Sequence, residues 1–114
     1  MTRCVFCRIS SRELPAEIIF EDNHCLAFED IHPKAPVHLL VIPKRHIESL
    51  NDMGPEDEML LGHITFVAKE LALERGIEKA GYRMVINTGP NAGQSVFHVH
   101  LHLLAGRPMH WPPG

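Results

Sequence analysis

Ser95-Val-Phe-His98-Val-His100-Leu-His102-Leu-Leu104 places an imidazole at every second position, with aliphatic residues between. Side chains alternate faces along a strand, so this spacing predicts His98, His100 and His102 on one face and Val99, Leu101 and Leu103 toward the core. A one-residue slip would reverse the two sets, so the register is specified. Same-face Cβ atoms lie roughly 6.5–7 Å apart, twice the strand rise. Such a row can span a phosphate or supply a metal ligand, although three linear positions suit a single tetrahedral ion poorly. A solvated face is the bland alternative, but Thr, Lys or Glu would serve it equally well.

Working outward, Gly93-Gln94-Ser95 precedes the row and Asn87 lies one segment earlier. Glycine permits close backbone approach, and turn amides with Ser hydroxyl and Gln amide line a concavity for anionic oxygens. Neither a P-loop nor a dinucleotide fingerprint is present, and no carboxylate nest for magnesium is evident.

Residues 18–30 read as two short strands around a turn at Asp22-Asn23, and His38–Ile42 is strand-like up to Pro43. Between them, Ile31–Pro36 is a proline-punctuated loop. Gly54-Pro55-Glu56-Asp57 opens a helix whose apolar face carries Leu60, Ile64, Val67 and Leu71, stopping near Gly76. Strand character resumes over Tyr82–Thr88 and again over Val96–Leu104. Met53, Met59 and Met84 read as core filler. Short connections between strands favour antiparallel pairing with one long helix on a face, which is α+β.

The 114 residues fit one domain, 1–114, with residues 105–114 a proline-rich tail. A formal net charge of −3 gives no general reason to bind nucleic acid or anionic membrane. No apolar run approaches transmembrane length, so the expected location is cytoplasmic. Nine histidines against one Tyr and one Trp point to chemistry near neutral pH. Three cysteines in a reducing compartment leave Cys4-Val-Phe-Cys7 open between coincidence, redox use and zinc. Redox use wants the pair at a helix start in a βαβ unit, which the pattern lacks. Cys25 reads as a core thiol, His24 and His63 as surface or helix-face residues, and His32 as a loop residue.

The segment His98–Leu104 resembles the signature of the histidine triad (HIT) superfamily of nucleotide hydrolases and transferases. Ile18–Asp22, Ala27–Ile31, His38–His46, Gly81–Asn87, Gly93–His98 and Gly106–Gly114 resemble its Hint branch, so the likeness spans essentially the whole chain. It implies a five-stranded antiparallel sheet with one long and one short N-terminal helix, continued across a homodimer, and no organic cofactor. It also implies hydrolysis of purine nucleoside phosphoramidates, adducts of AMP or GMP, through a nucleotidyl-histidine. On that resemblance His100 is the nucleophile, His102 binds a non-bridging oxygen, His98 orients the row, His38 sits behind it and Ser95 serves the leaving group. Asn87, Gly93, Gln94 and Ser95 hold phosphate; Asp30 binds ribose; Ile31 and Phe28 line the base pocket; Trp111 approaches the partner subunit's site. Cys4 and Cys7 depart from the metal-free eukaryotic pattern. Relatives with such a pair imply a structural zinc on Cys4, Cys7, His46 and His98. Two other functions are compatible: dinucleoside polyphosphate hydrolysis, disfavoured because the fragile-histidine-triad branch has Gln for the third His, and a nucleotide-binding regulatory module with vestigial hydrolysis.

Overall fold

The computed structural model describes residues 3–114. Its elements are α1 (Val5–Ser10), β1 (Ile18–Glu21), β2 (Cys25–Glu29), β3 (Val37–Pro43), α2 (Glu58–Glu74), β4 (Tyr82–Val85) and β5 (Leu101–Ala105). The five strands form one antiparallel sheet in the order β1-β2-β3-β5-β4. β5 is therefore central, between β3 and β4, and what it carries is held from both sides.

The β1–β2 turn forms where the sequence predicts it, because the Asp22 carboxylate accepts the amides of His24 and Cys25 at 2.8 Å each. α2 is preceded by a 3-10 turn at Pro55–Asp57, whose amide orphan at Gly54 is taken by the buried Asp57 carboxylate at 2.9 Å. Ile64, Val67, Ala68 and Leu71 of α2 pack on Leu39, Val41, Val99, Leu101 and Leu103, the larger of two apolar clusters. Cys25 belongs to that core and is fully buried. The opposite sheet face carries a second cluster, in which Phe6 and Ile9 of α1 cover Leu26, Phe28, Leu40 and Ile42.

Three expectations need correction. Regular strand structure begins at Leu101, not Val96, and β4 stops at Val85, not Thr88. The ladder ends at Val41↔Leu101 and Val85↔His102. Two residues beyond Val41 stands Pro43, which has no N–H to offer. The Val99 amide turns instead to the carbonyl of Ile47 at 2.8 Å. Met59 is also not core filler: it is 87% exposed on the outer side of α2, whereas Met53 and Met84 do pack against the core. Finally, Cys4 and Cys7 do stand at a helix start: Cys4 is the N-cap of α1 and its sulfur receives the Cys7 amide at 3.4 Å. The βαβ context of a redox pair is still missing from the antiparallel sheet.

Candidate active site

The predicted alternation survives the loss of regular strand. Val99, Leu101 and Leu103 enter the α2 core, and the three histidines lie on the other face. That face is not solvated, however. His98 is 0% and His100 5% exposed. The Phe6 ring stands edge-on to both, at 5.9 and 5.0 Å between centroids, and to Phe28 at 5.6 Å. Nothing in the spacing of Cys4-Val-Phe-Cys7 announces this; the only signal is that a lone aromatic sits between the two cysteines.

A buried imidazole needs partners, and those partners decide which nitrogen carries the proton. His98 Nε2 lies 2.7 Å from the carbonyl of Pro43, an acceptor only, so Nε2 donates and Nδ1 keeps its lone pair. His100 is arranged the other way: Nδ1 donates to the carbonyl of His98 at 2.7 Å, which leaves the lone pair on Nε2. His38 is 4% exposed and its Nδ1 accepts the Lys34 amide at 2.9 Å. Its Nε2–H therefore donates to His102 Nδ1 at 2.9 Å, with the Asp30 carboxylate 3.3 Å from the same atom. His102 in turn is left with a proton on Nε2. Three histidines in a row thus present a lone pair turned toward Cys4 and Cys7, a free lone pair and a free N–H.

Burial holds the pKa of His38, His98 and His100 below the usual imidazole range. His102 is pushed down to about 4, by burial first and then by neighbouring His100 and His38, against the pull of Asp30. The whole row is neutral at pH 7.

His38, His100, His102, Ser95 and Asp30 border one cavity of about 510 Å³ whose remaining wall is largely apolar, with Val5, Phe6, Ile9, Phe28 and Leu40. That volume lies within the range of small-molecule pockets. Ile31, 82% exposed, stands at its mouth. Asn87 and Gly93 flank the adjoining loop outside that lining. Gly93 adopts φ +78°, a left-handed conformation that favours glycine. The Gln94 side chain braces the loop: Oε1 accepts the Gly89 amide at 3.0 Å, and Nε2 donates to Glu48 and Val96 carbonyls at 2.7 and 3.1 Å. Trp111 is 82% exposed, away from this cavity.

His98 Nδ1 belongs to a second cluster. It lies 3.4 Å from Cys4 Sγ, 3.6 Å from Cys7 Sγ and 3.2 Å from His46 Nδ1, and Cys7 Sγ lies 3.4 Å from His46 Nδ1. A tetrahedral zinc, with sulfur at about 2.3 Å and nitrogen at about 2.0–2.1 Å, separates its donors by about 3.3–3.8 Å. The four donors fit such an ion closely, and the His98 Nε2–H on a carbonyl is the outer contact a ligating histidine normally makes. The cluster can hold a metal.

Comparison with known proteins bears on the fold and the site together. The HIT domain family model matches residues 11–109. The chain belongs to the HIT family. This HIT protein is 53% identical to an uncharacterised HIT-like protein of Synechocystis, over 96% of each chain. A HIT family hydrolase from Legionella pneumophila superposes with a TM-score of 0.96 at 52% identity, covering 98% of this chain and 100% of that one. A histidine triad nucleotide-binding protein from Candida albicans aligns at TM-score 0.82 and 32% identity, over 96% and 82% of the two chains. Among the described residues of this HIT protein, no helix is long and apolar enough to cross a membrane.

Proposed function

We propose that this HIT protein is a purine nucleoside phosphoramidase, hydrolysing the P–N bond of AMP or GMP adducts through a nucleotidyl-histidine on His100. The observation that carries the reading is the tautomer pattern: His100 offers a bare Nε2 to a nucleotide-sized cavity beside an N–H donor on His102. A neutral imidazole attacks without a separate base. As Nε2 bonds to phosphorus the ring becomes cationic, and its Nδ1–H on the His98 carbonyl becomes a charge-assisted bond. His102 Nε2–H meets a non-bridging oxygen as charge grows there; a donor of this kind is worth about 10²–10³ in rate. The P–N bond breaks as the departing nitrogen takes a proton, with Ser95 at the cavity rim to pass it. Water then bonds to phosphorus, the His100–phosphorus bond breaks, and nucleoside monophosphate leaves with His100 neutral again.

The apolar wall from Phe6, Ile9 and Phe28 suits a purine face, and Asp30 at the polar end suits ribose hydroxyls. Gly93, Asn87 and the Ser95 amide edge the phosphate end; the side chain of Gln94 serves by shaping that loop. The Cys4–Cys7–His46–His98 cluster is read as a structural zinc site. When bound, the ion supplies a cross-link between α1 and the His98 segment and no reaction step. The protein is read as a homodimer: β4 is a sheet edge, and Met59, Phe66 and Leu73, seven residues apart on α2, form an exposed apolar stripe suited to a second copy. Trp111 would then lie near the partner's cavity, and sedimentation should give twice the monomer mass.

The test is amine release from tryptamine and lysine AMP adducts, with diadenosine polyphosphates in parallel. Release that disappears in His100→Ala supports the reading. Equal rates for the two proteins would sink it, preferential cleavage of the polyphosphate would favour the second hydrolase, and tight nucleotide binding without turnover would favour a regulatory module.

A further inference from the structure

Arg107 lies outside both clusters, yet its guanidinium reaches back to the loop that ends at His38. Nε and Nη2 both donate to the carbonyl of Lys34, at 3.2 and 3.0 Å, and Nη1 donates to the carbonyl of Pro108 at 3.0 Å. The residue before it makes a second contact with the same loop. Gly106 has φ +94°, and a Cβ built there would lie 2.7 Å from Cβ of Pro36. The end of β5 therefore touches the 31–36 loop closely enough that no larger residue fits.

That loop is stiff. Pro33 and Pro36 bracket Lys34 and Ala35, and each fixes its own φ. The Lys34 amide and carbonyl belong to neighbouring peptide planes joined at one Cα, so anchoring the carbonyl limits how far the amide, which donates to His38 Nδ1 at 2.9 Å, can swing. That amide on Nδ1 and the Asp30 carboxylate, 3.3 Å from Nε2, together favour the His38 tautomer protonated on Nε2, and through the 2.9 Å contact this selects the tautomer of His102. If the Lys34 amide turned away, only Asp30 would favour the Nε2 proton, and the share of His38 carrying its proton on Nδ1 would rise. His102 would then move its own proton to Nδ1 to reach His38 Nε2, and would present a lone pair to the cavity.

We propose that Gly106 and Arg107 form a clamp which, through Lys34 and His38, keeps His102 in the tautomer that donates from Nε2. Arg107 is a positioning residue, acting through the loop without touching substrate. The catalytic consequence rests on reading His102 as the phosphate-oxygen donor. The tautomer claim does not.

The test uses the full chain with ¹⁵N-labelled histidine, and Arg107→Ala, Arg107→Lys and Gly106→Ala variants. The wild type should show His102 Nδ1 in the acceptor range and Nε2 in the protonated range. Arg107→Ala should move both nitrogens toward the average of the two tautomers and lower kcat about 10- to 100-fold, short of the full loss of a donor. KM for an AMP phosphoramidate should change by less than about threefold, since an apolar wall holds the base. Arg107→Lys, which keeps one bond to the carbonyl, should recover much of both effects. Unchanged ring-nitrogen shifts in folded Arg107→Ala overturn the clamp, whether or not kcat falls, because a general loss of structure does not select a tautomer. Should Arg107→Ala fail to fold, Gly106→Ala decides by the same spectra, with unchanged shifts again overturning it. A tautomer shift in a protein that hydrolyses no phosphoramidate would uphold the clamp and reject the proposed function.

Discussion

The two faces of the segment His98–Leu103 are both largely shielded from solvent, but by different means. On one, Val99, Leu101 and Leu103 meet α2, and any well-fitting aliphatic contact holds them. On the other, the Phe6 ring packs on His98 and His100, and each of the three histidines has a directional partner that fixes its proton and so sets its chemistry. The first face supplies stability with little specificity. The second supplies specificity, since an imidazole buried with its partner removed loses both a hydrogen bond and its assigned proton.

The histidine face loses most at His100. His100→Ala should lower kcat on an AMP phosphoramidate, counted per folded molecule, by at least about 10⁴-fold, as loss of a nucleophile does. A loss under tenfold would place the nucleophile elsewhere. On the opposite face, Leu103→Ala should cost about 2–5 kcal/mol of folding stability, measured by urea denaturation, while kcat per folded molecule stays near wild type.

A metal test bears on His98, the histidine shared by the row and the Cys4–Cys7–His46 cluster. Chelated protein given free zinc at 100 times its Kd should gain about 2.7 kcal/mol of stability. The same addition to Cys7→Ser should give markedly less, and an equal gain in both would remove the Cys4–Cys7–His46–His98 assignment.

Between pH 7 and pH 5, acid should act chiefly on the histidine face. The His102 pKa falls from about 6.5 in the unfolded chain to about 4 in the fold, so below pH 6.5 the unfolded state binds more protons than the native state. The stabilising contribution is complete above pH 6.5 and is lost as pH drops toward 4; His38, lowered in the same direction, adds to it. The urea midpoint should fall between pH 7 and pH 5, and fall less in His102→Asn. The smallest effect belongs to the exposed pair Arg75–Glu29, 2.7 Å apart, where Arg75→Ala should cost no more than about 1 kcal/mol.

Much of this was legible in local pattern. Period-two alternation placed the histidines opposite the aliphatics, and the three- and four-residue spacing of Ile64, Val67 and Leu71 marked the buried face of α2. Both are short-range regularities of a chain that must bury one face. The limit of β5 was not legible, because it depends on where the neighbouring β3 runs out of donors at Pro43, and β4 stops where its pairing with β5 stops. The exposure of Met59 was equally hidden: a methionine reads the same whether or not its helix face is covered. Phe6 and Leu40 carry no functional signature, and became cavity wall only when α1 folded over the sheet.

Sequence pattern alone put three imidazoles on one face of the last strand-like segment and called for an α+β sheet with one long helix. Only the tertiary structure decided what each imidazole can do. The proton on His98 is placed by Pro43, 55 residues away, and that on His102 by His38, 64 residues away. An imidazole has two nearly equivalent nitrogens, so nothing in the residue or its immediate spacing distinguishes donor from lone pair; a hydrogen-bond partner brought in by folding does.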